Sequence, residues 1–142
     1  MQKINLIICL LLTGCYFFYP AAVSIGHTTW NVDIANNPEE RARGLMNVDY
    51  LPHNIGMWFE FEESGNKIFW MKNTLIPLDM IFIDENYTVQ TVYRNVQPCE
   101  YDPCPMYASN TSVQYVLEVN AGEANFVNPG DEAGYFLRPI YR

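Results

Sequence analysis

Basic residues are scarce in this chain. Its 142 residues include 8 Lys and Arg against 16 Asp and Glu, a formal net charge of -8 at pH 7. A surface so short of cations has little with which to neutralise a phosphate backbone, which argues against nucleic acid as a partner. It equally disfavours docking onto anionic lipid by charge alone. Charge of either sign is thin, at 17% of residues, so repulsion-driven disorder is not expected. Beyond the N-terminal leader there is no apolar run of helix length, and nothing later in the chain is expected to span a membrane. Internal repeats and Cys-x-x-Cys strings are lacking, and there are only 2 histidines, His27 and His53.

What remains is apolar and aromatic. With 49% hydrophobic and 15% aromatic residues, the chain has material for one compact domain behind a targeting segment. That segment opens on Met1-Gln2-Lys3 and continues through an apolar run from Ile4 to Leu12, interrupted only by Asn5. Leu12-Thr13-Gly14-Cys15 resembles the bacterial lipobox, which implies removal of residues 1–14 and acylation of Cys15. On this reading residues 15–26 form a linker and residues 27–142 the domain. Loss of Lys3 leaves 7 basic and 16 acidic groups, 7 − 16 = −9. Ordinary cleavage near Ala22 to Ser24 would discard Cys15, and Tyr16-Phe17-Phe18-Tyr19 could extend an uncleaved anchor. All three readings export the domain, with the lipoprotein form placing it at the periplasmic face of a bacterial membrane by a lipid anchor only.

Of the 4 cysteines, Cys9 belongs to the leader and Cys15 to the lipid site. Cys99 and Cys104 remain, and a loop that short closes within disulfide geometry. In an oxidising compartment a bridge is the expectation, and a redox pair or soft-metal site is the alternative.

The chain then reads as short strands. His27 to Ala35 is the first, around Trp30, Val32 and Ile34. Asn37-Pro38-Glu39-Glu40 carries a cap, a proline for the first turn and two acids, which predicts a helix from Pro38 to about Leu45 with Gly44 near its end. Strands follow at Met57 to Glu62, Lys67 to Lys72, Leu78 to Ile83, Thr88 to Val96, Val113 to Val119 and Glu132 to Leu137, with a short helix at Ala121 to Asn128. The expected fold is mainly β: a small antiparallel β-sandwich or barrel of six to seven strands with two short helices.

Chemistry-bearing side chains concentrate in Trp70-Met71-Lys72-Asn73-Thr74 and at Asp79. A cation, an amide, a hydroxyl and a carboxylate beside buried strand must pair or stay wet. Lys72 with Asp79 is the expected pair, as an acid–base couple or as a pin between crossover and sheet. Asn73 and Thr74 fit turn capping or ligand contact. Trp70 fits ligand stacking or core. Arg41 and Arg43 lie two apart on a helix, so at most one points with a site, where it could grip a carboxylate. Glu118, opposite Leu117 on its strand, is a candidate partner for Lys72 or an arginine, or else an exposed position. The glutamates at 60, 62 and 63 could hold a hard cation but read better as an acidic hairpin end. The methionines with His53 invite a copper reading that no Met-x-Met or His-x-x-Met string supports.

Several ordered strings carry a family resemblance. Glu40-Arg41-Ala42-Arg43-Gly44-Leu45-Met46, Gly56-Met57, Phe69 to Thr74, Ile76-Pro77-Leu78-Asp79, Phe82-Ile83-Asp84 and Val116 to Gly122 together resemble the DUF192 family over roughly residues 27 to 137. Cys99 and Cys104-Pro105 with Tyr107 are similar to its loop. The resemblance implies a small β-rich domain, frequently exported in bacteria, and carries over no catalytic residue. Val48-Asp49 stands where many members have a basic residue, which weakens an anion-binding role for that loop. The expected function is a non-enzymatic, envelope-tethered binding or accessory module for an unknown small ligand or envelope protein, with no cofactor and no resident metal. The alternative is a small hydrolase or lyase using Lys72 with Asp79 or Glu118, and a metal chaperone is the third reading.

Overall fold

The computed structural model describes residues 19–138. Ahead of them it gives only two paired strand pieces, β1 (Ile8–Cys9) and β2 (Cys15–Tyr16). The expected leader cut and the side chain of Cys15 lie outside the described residues.

The domain proper starts earlier than its sequence suggests. β3 (Ala21–Ile25) falls inside the expected linker, yet Ala21, Val23 and Ile25 are core residues. β3 pairs antiparallel with β4 (Thr28–Ala35) across a tight turn at Gly26, which adopts φ +59°. The helix α1 (Pro38–Arg43) follows, its first turn capped by Asn37 Oδ1, which accepts from Glu40 N at 2.9 Å. Then come β5 (Ile55–Gly65), β6 (Ile68–Trp70), β7 (Leu78–Ile83), β8 (Val89–Val96), β9 (Met106–Ala108), β10 (Val113–Asn120) and β11 (Ala133–Leu137).

Seven strands form one sheet in the order β11-β3-β4-β5-β10-β7-β8, and β6 pairs with β9 as a separate ribbon. The sheet is mixed rather than purely antiparallel, because the α1 crossover makes β5 run parallel to β4. It coils without closing. Its two edges meet at a single bridge, Thr88 with Glu132. The second expected helix is a run of turns from Ala121, pinned to the sheet by the Asp79 carboxylate and by Arg94, which donates to the Ala124 and Val127 carbonyls.

Both faces of the sheet are buried. Trp30, Trp58, Ile81, Ile83, Leu117 and Val119 fill the inner, concave side. Phe59, Met71, Leu78, Met80, Phe82 and Val116 face outward under α1, the β6–β9 ribbon and the loops. The period of two in β7 and β10 sends alternate side chains to the two cores. All six residues of β7 are therefore buried, Asp79 among them.

Candidate functional site

A small cavity of about 30 Å³ opens on the outer face, where α1 meets β10. That is room for a water or two, or for the end of a larger molecule. Its walls are built by sequence-local devices. Gly44 ends α1 at φ +47°, and a Cβ there would come 3.2 Å from the Phe59 ring, so glycine lets the helix terminus sit on the aromatic floor. Met46 and Thr74 join two loops through an antiparallel bridge. Phe69 and Trp70 arrive on β6, with Phe69 edge-on to Phe59 at 5.0 Å between ring centres. Gly56 on β5 lets β10 approach closely, since a Cβ would meet the Glu118 carbonyl at 2.6 Å. Glu118 itself then projects between Met57 and Met80 of the neighbouring strands.

Glu118 is 4% exposed and lines this cavity. Among the described residues its carboxyl has no hydrogen-bond or ionic partner, and no buried polar atom is sealed away without one, so the group reaches the cavity space. Burial among apolar side chains pushes its pKa up from 4.5 to about 8. At neutral pH it is mostly a carboxylic acid, able to donate a hydrogen bond as well as accept one. Thr74, 6% exposed, also lines the cavity, and its hydroxyl has no partner among the described residues. Arg43 lies at the exposed rim with its guanidinium likewise unengaged there. Arg41 is committed: it donates to the Glu60 carbonyl at 2.9 Å and packs over the Phe61 ring.

Of the residues singled out in the sequence, the cavity brings together Trp70, Thr74, Arg43 and Glu118. It leaves out Lys72, Asn73 and Asp79. Lys72 and Asp79 are not a pair. Lys72 Nζ sits 2.5 Å from Asp102 Oδ2 at the surface, 5.4 Å from the centre of the Trp70 ring. Asp79 points to the inner side and accepts from the backbone N–H groups of Asn95, Gly122 and Ala124 at 2.8–2.9 Å. Asn73 occupies a left-handed turn position, φ 57°, its backbone bonded to Asn47 and Cys99. Cys99 and Cys104 form a disulfide. The methionines are dispersed: Met71 and Met80 in the outer core, Met46 in the cavity wall, Met106 exposed on β9. Among the described residues no three His, Cys, Asp or Glu side chains come together as a metal-ligand set.

Sequence reading missed a second opening, of about 470 Å³, at one end of the coiled sheet. Tyr87, Tyr115 and Tyr135 line it, with Trp58 stacked on Tyr115 at 5.0 Å and on Tyr135 at 5.3 Å. Burial and a bond to Tyr87 raise the Tyr115 phenol to about 12, while burial and a bond to Glu60 raise Tyr135 further. Glu60 also accepts from Trp58 Nε1 at 3.1 Å. These polar groups satisfy one another, so this end reads as a closed network. Glu123 was also missed: it accepts from Trp30 Nε1 at 2.8 Å and from Asn54 N at 3.1 Å, and His53 Nδ1 lies 2.7 Å from it. Only proximity in the fold reveals it.

Comparison with known proteins places this geometry in a group. A candidate transcription regulator from Sinorhizobium meliloti 1021 has a crystal structure similar at a TM-score of 0.74 and 34% identity, over 82% of this chain and 95% of that one. A protein of unknown function from Novosphingobium aromaticivorans DSM 12444 is similar at 0.73 and 30% identity, over 81% and 83%. Curated proteins give no match. The model of the family DUF192, described as an uncharacterized ACR, matches residues 21–134, from the first residue of β3 to within β11. The chain belongs to the DUF192 family.

Proposed function

We propose that this protein is an exported, non-enzymatic binding module whose ligand enters the Glu118 cavity between α1, β6 and β10. One observation carries the reading. A buried carboxyl with no partner destabilises a fold, and such a group persists where something else completes it. Trp70, 40% exposed at the rim, gives an arriving molecule an aromatic surface. The alternative, a hydrolase or lyase working through Lys72 with Asp79 or Glu118, has less behind it. Lys72 points to the surface beside Asp102, Asp79 is saturated by backbone donors, and neither lines the cavity. The description of the Sinorhizobium protein as a regulator finds no support in a chain with net charge -8.

Export with a lipid anchor at Cys15 belongs to the same proposal. Cleavage near Ala22 to Ser24 would cut β3, which is paired on both sides and buried. Processing ahead of Tyr19 keeps the fold whole, and the Cys15 position satisfies that condition. The binding reading is tested by adding a periplasmic small-molecule extract to the labelled protein and following backbone NMR signals. Shifts clustered on Arg43, Thr74 and Glu118, and lost in Thr74→Val, support it. Shifts confined to other surfaces would sink it.

A further inference from the structure

We propose that the Glu118 cavity receives the carboxylate end of a small organic acid or of a peptide chain, with Arg43 supplying the charge and Glu118 and Thr74 supplying hydrogen bonds. The inference rests on the reading of this cavity as the ligand site and adds the chemical class of what fills it.

Three features select that class. The first is the donor set. A partnerless hydroxyl and a buried, partnerless carboxyl inside, with an unengaged guanidinium at the rim, call for an acceptor with more than one oxygen. A carboxylate presents two, in the planar geometry that a guanidinium matches. The second is charge. The charged residues that share the cavity lining with Glu118 among the described residues are Arg41 and Arg43 of α1. β5 presents Met57 and Phe59, β7 presents Met80, β6 presents Phe69 and Trp70, and the loop presents Thr74. An arriving ammonium would meet Arg43 with like charge and a carboxyl that must first lose its proton. An arriving carboxylate meets attraction and a donor already in place. The third is size. About 30 Å³ takes the two oxygens of a carboxylate, with the rest of the ligand outside the opening. The apolar frame of Leu45, Phe59 and Phe69 lowers the local dielectric and strengthens each charge-assisted bond.

Ionisation of Glu118 would set a carboxylate against a carboxylate. Binding therefore weakens as pH rises through about 8, where burial has placed the titration.

The test is an NMR titration of the purified protein near neutral pH with acetate, methylammonium, a short peptide and the same peptide amidated at its C-terminus. Acetate and the free peptide are expected to shift Arg43, Thr74 and Trp70, while methylammonium and the amide leave them unmoved. Arg43→Gln should weaken acetate at least about tenfold, the scale of one charge-assisted contact. Glu118→Gln keeps an N–H donor, so it should retain acetate binding and lose its decline at alkaline pH. A peptide that binds more tightly than acetate identifies a chain terminus as the source; equal or weaker binding identifies a small acid. If methylammonium moves the cavity signals and acetate does not, the ligand class is wrong and the cavity remains a binding site. If the periplasmic extract moves them while neither carboxylate probe does, this inference alone fails. If nothing moves them, both readings fall.

Discussion

Two carboxyl groups sit side by side in the middle of this sheet and meet opposite fates. Asp79 on β7 pairs across the ladder with Val119, and Glu118 one residue before it pairs with Met80. The pleat turns one inward and the other outward, and both are buried. Asp79 is completed by three backbone donors. Glu118 is completed by none among the described residues. A carboxylate ringed by N–H groups is a structural bolt that fixes the turn run after β10 to the sheet. A carboxyl left open beside a cavity is a cost that folding alone does not explain. Burial by itself therefore does not separate structure from function here; partner count does.

At neutral pH the largest expected effect is on the bolt. Asp79→Ala removes the acceptor for Asn95, Gly122 and Ala124 at once and leaves buried N–H groups without partners. Its expected cost is on the order of 4 kcal/mol, the range for breaking a buried, charge-assisted cluster. Urea denaturation measures it, and amide exchange at Gly122 and Ala124 should quicken. A loss under about 1 kcal/mol would mean that the three bonds contribute little net stability, and the contrast with Glu118 would vanish.

The next effect has the opposite sign. The folded-state pKa of Glu118 is raised from 4.5 to about 8, so the native state holds a proton that the unfolded chain has released. Its contribution is intact below the unfolded value, and stability then falls by about 1.4 kcal/mol per pH unit until the folded value is passed. Glu118→Gln removes this titration while keeping shape and hydrogen-bonding capacity. The variant should be more stable than the natural protein by about 3 kcal/mol near pH 7, and the gap should widen to about 5 kcal/mol above pH 8. Denaturation curves at acid, neutral and alkaline pH would show the two proteins converging only in acid. Equal stability throughout would mean that Glu118 finds a partner in solution, and the case for a ligand would weaken with it.

Much of this was legible in the sequence, and the reasons differ by element. Leu78 to Ile83 was readable as an interior strand because an unbroken apolar run needs cover on both faces. α1 was readable from its Asn37 cap and Pro38, since capping chemistry is local. β3 was not. Ala21 to Ile25 continues the apolar composition of the leader, and only pairing with β4 and β11 distinguishes strand from linker. The run from Ala121 to Asn128 has helical composition, but Asp79 and Arg94 capture its backbone groups instead. Four of the candidate site residues meet at one cavity because β6, the α1 end and β10 converge there. Which of the two buried acids would be left unpartnered depends on contacts more than 40 residues apart for the turn run, as from Asp79 to Gly122 and Ala124. No local pattern encodes such contacts.

The smallest effect concerns Lys72, the residue that most resembled a catalytic group in sequence. Its ammonium meets Asp102, whose side chain is 62% exposed, with Trp70 alongside. A pair so open to water is screened, and holding two long side chains together opposes what attraction remains. Lys72→Ala should therefore cost about 0.5 kcal/mol or less, in the range of exposed pairs, with the gap closing in high salt. Acetate affinity at the Glu118 cavity should be unchanged, because Lys72 lies outside its lining. A large loss of stability would show that Lys72 holds the disulfide loop to the domain more firmly than its exposure implies. A large loss of binding would move the ligand out over Trp70 and return Lys72 to the site.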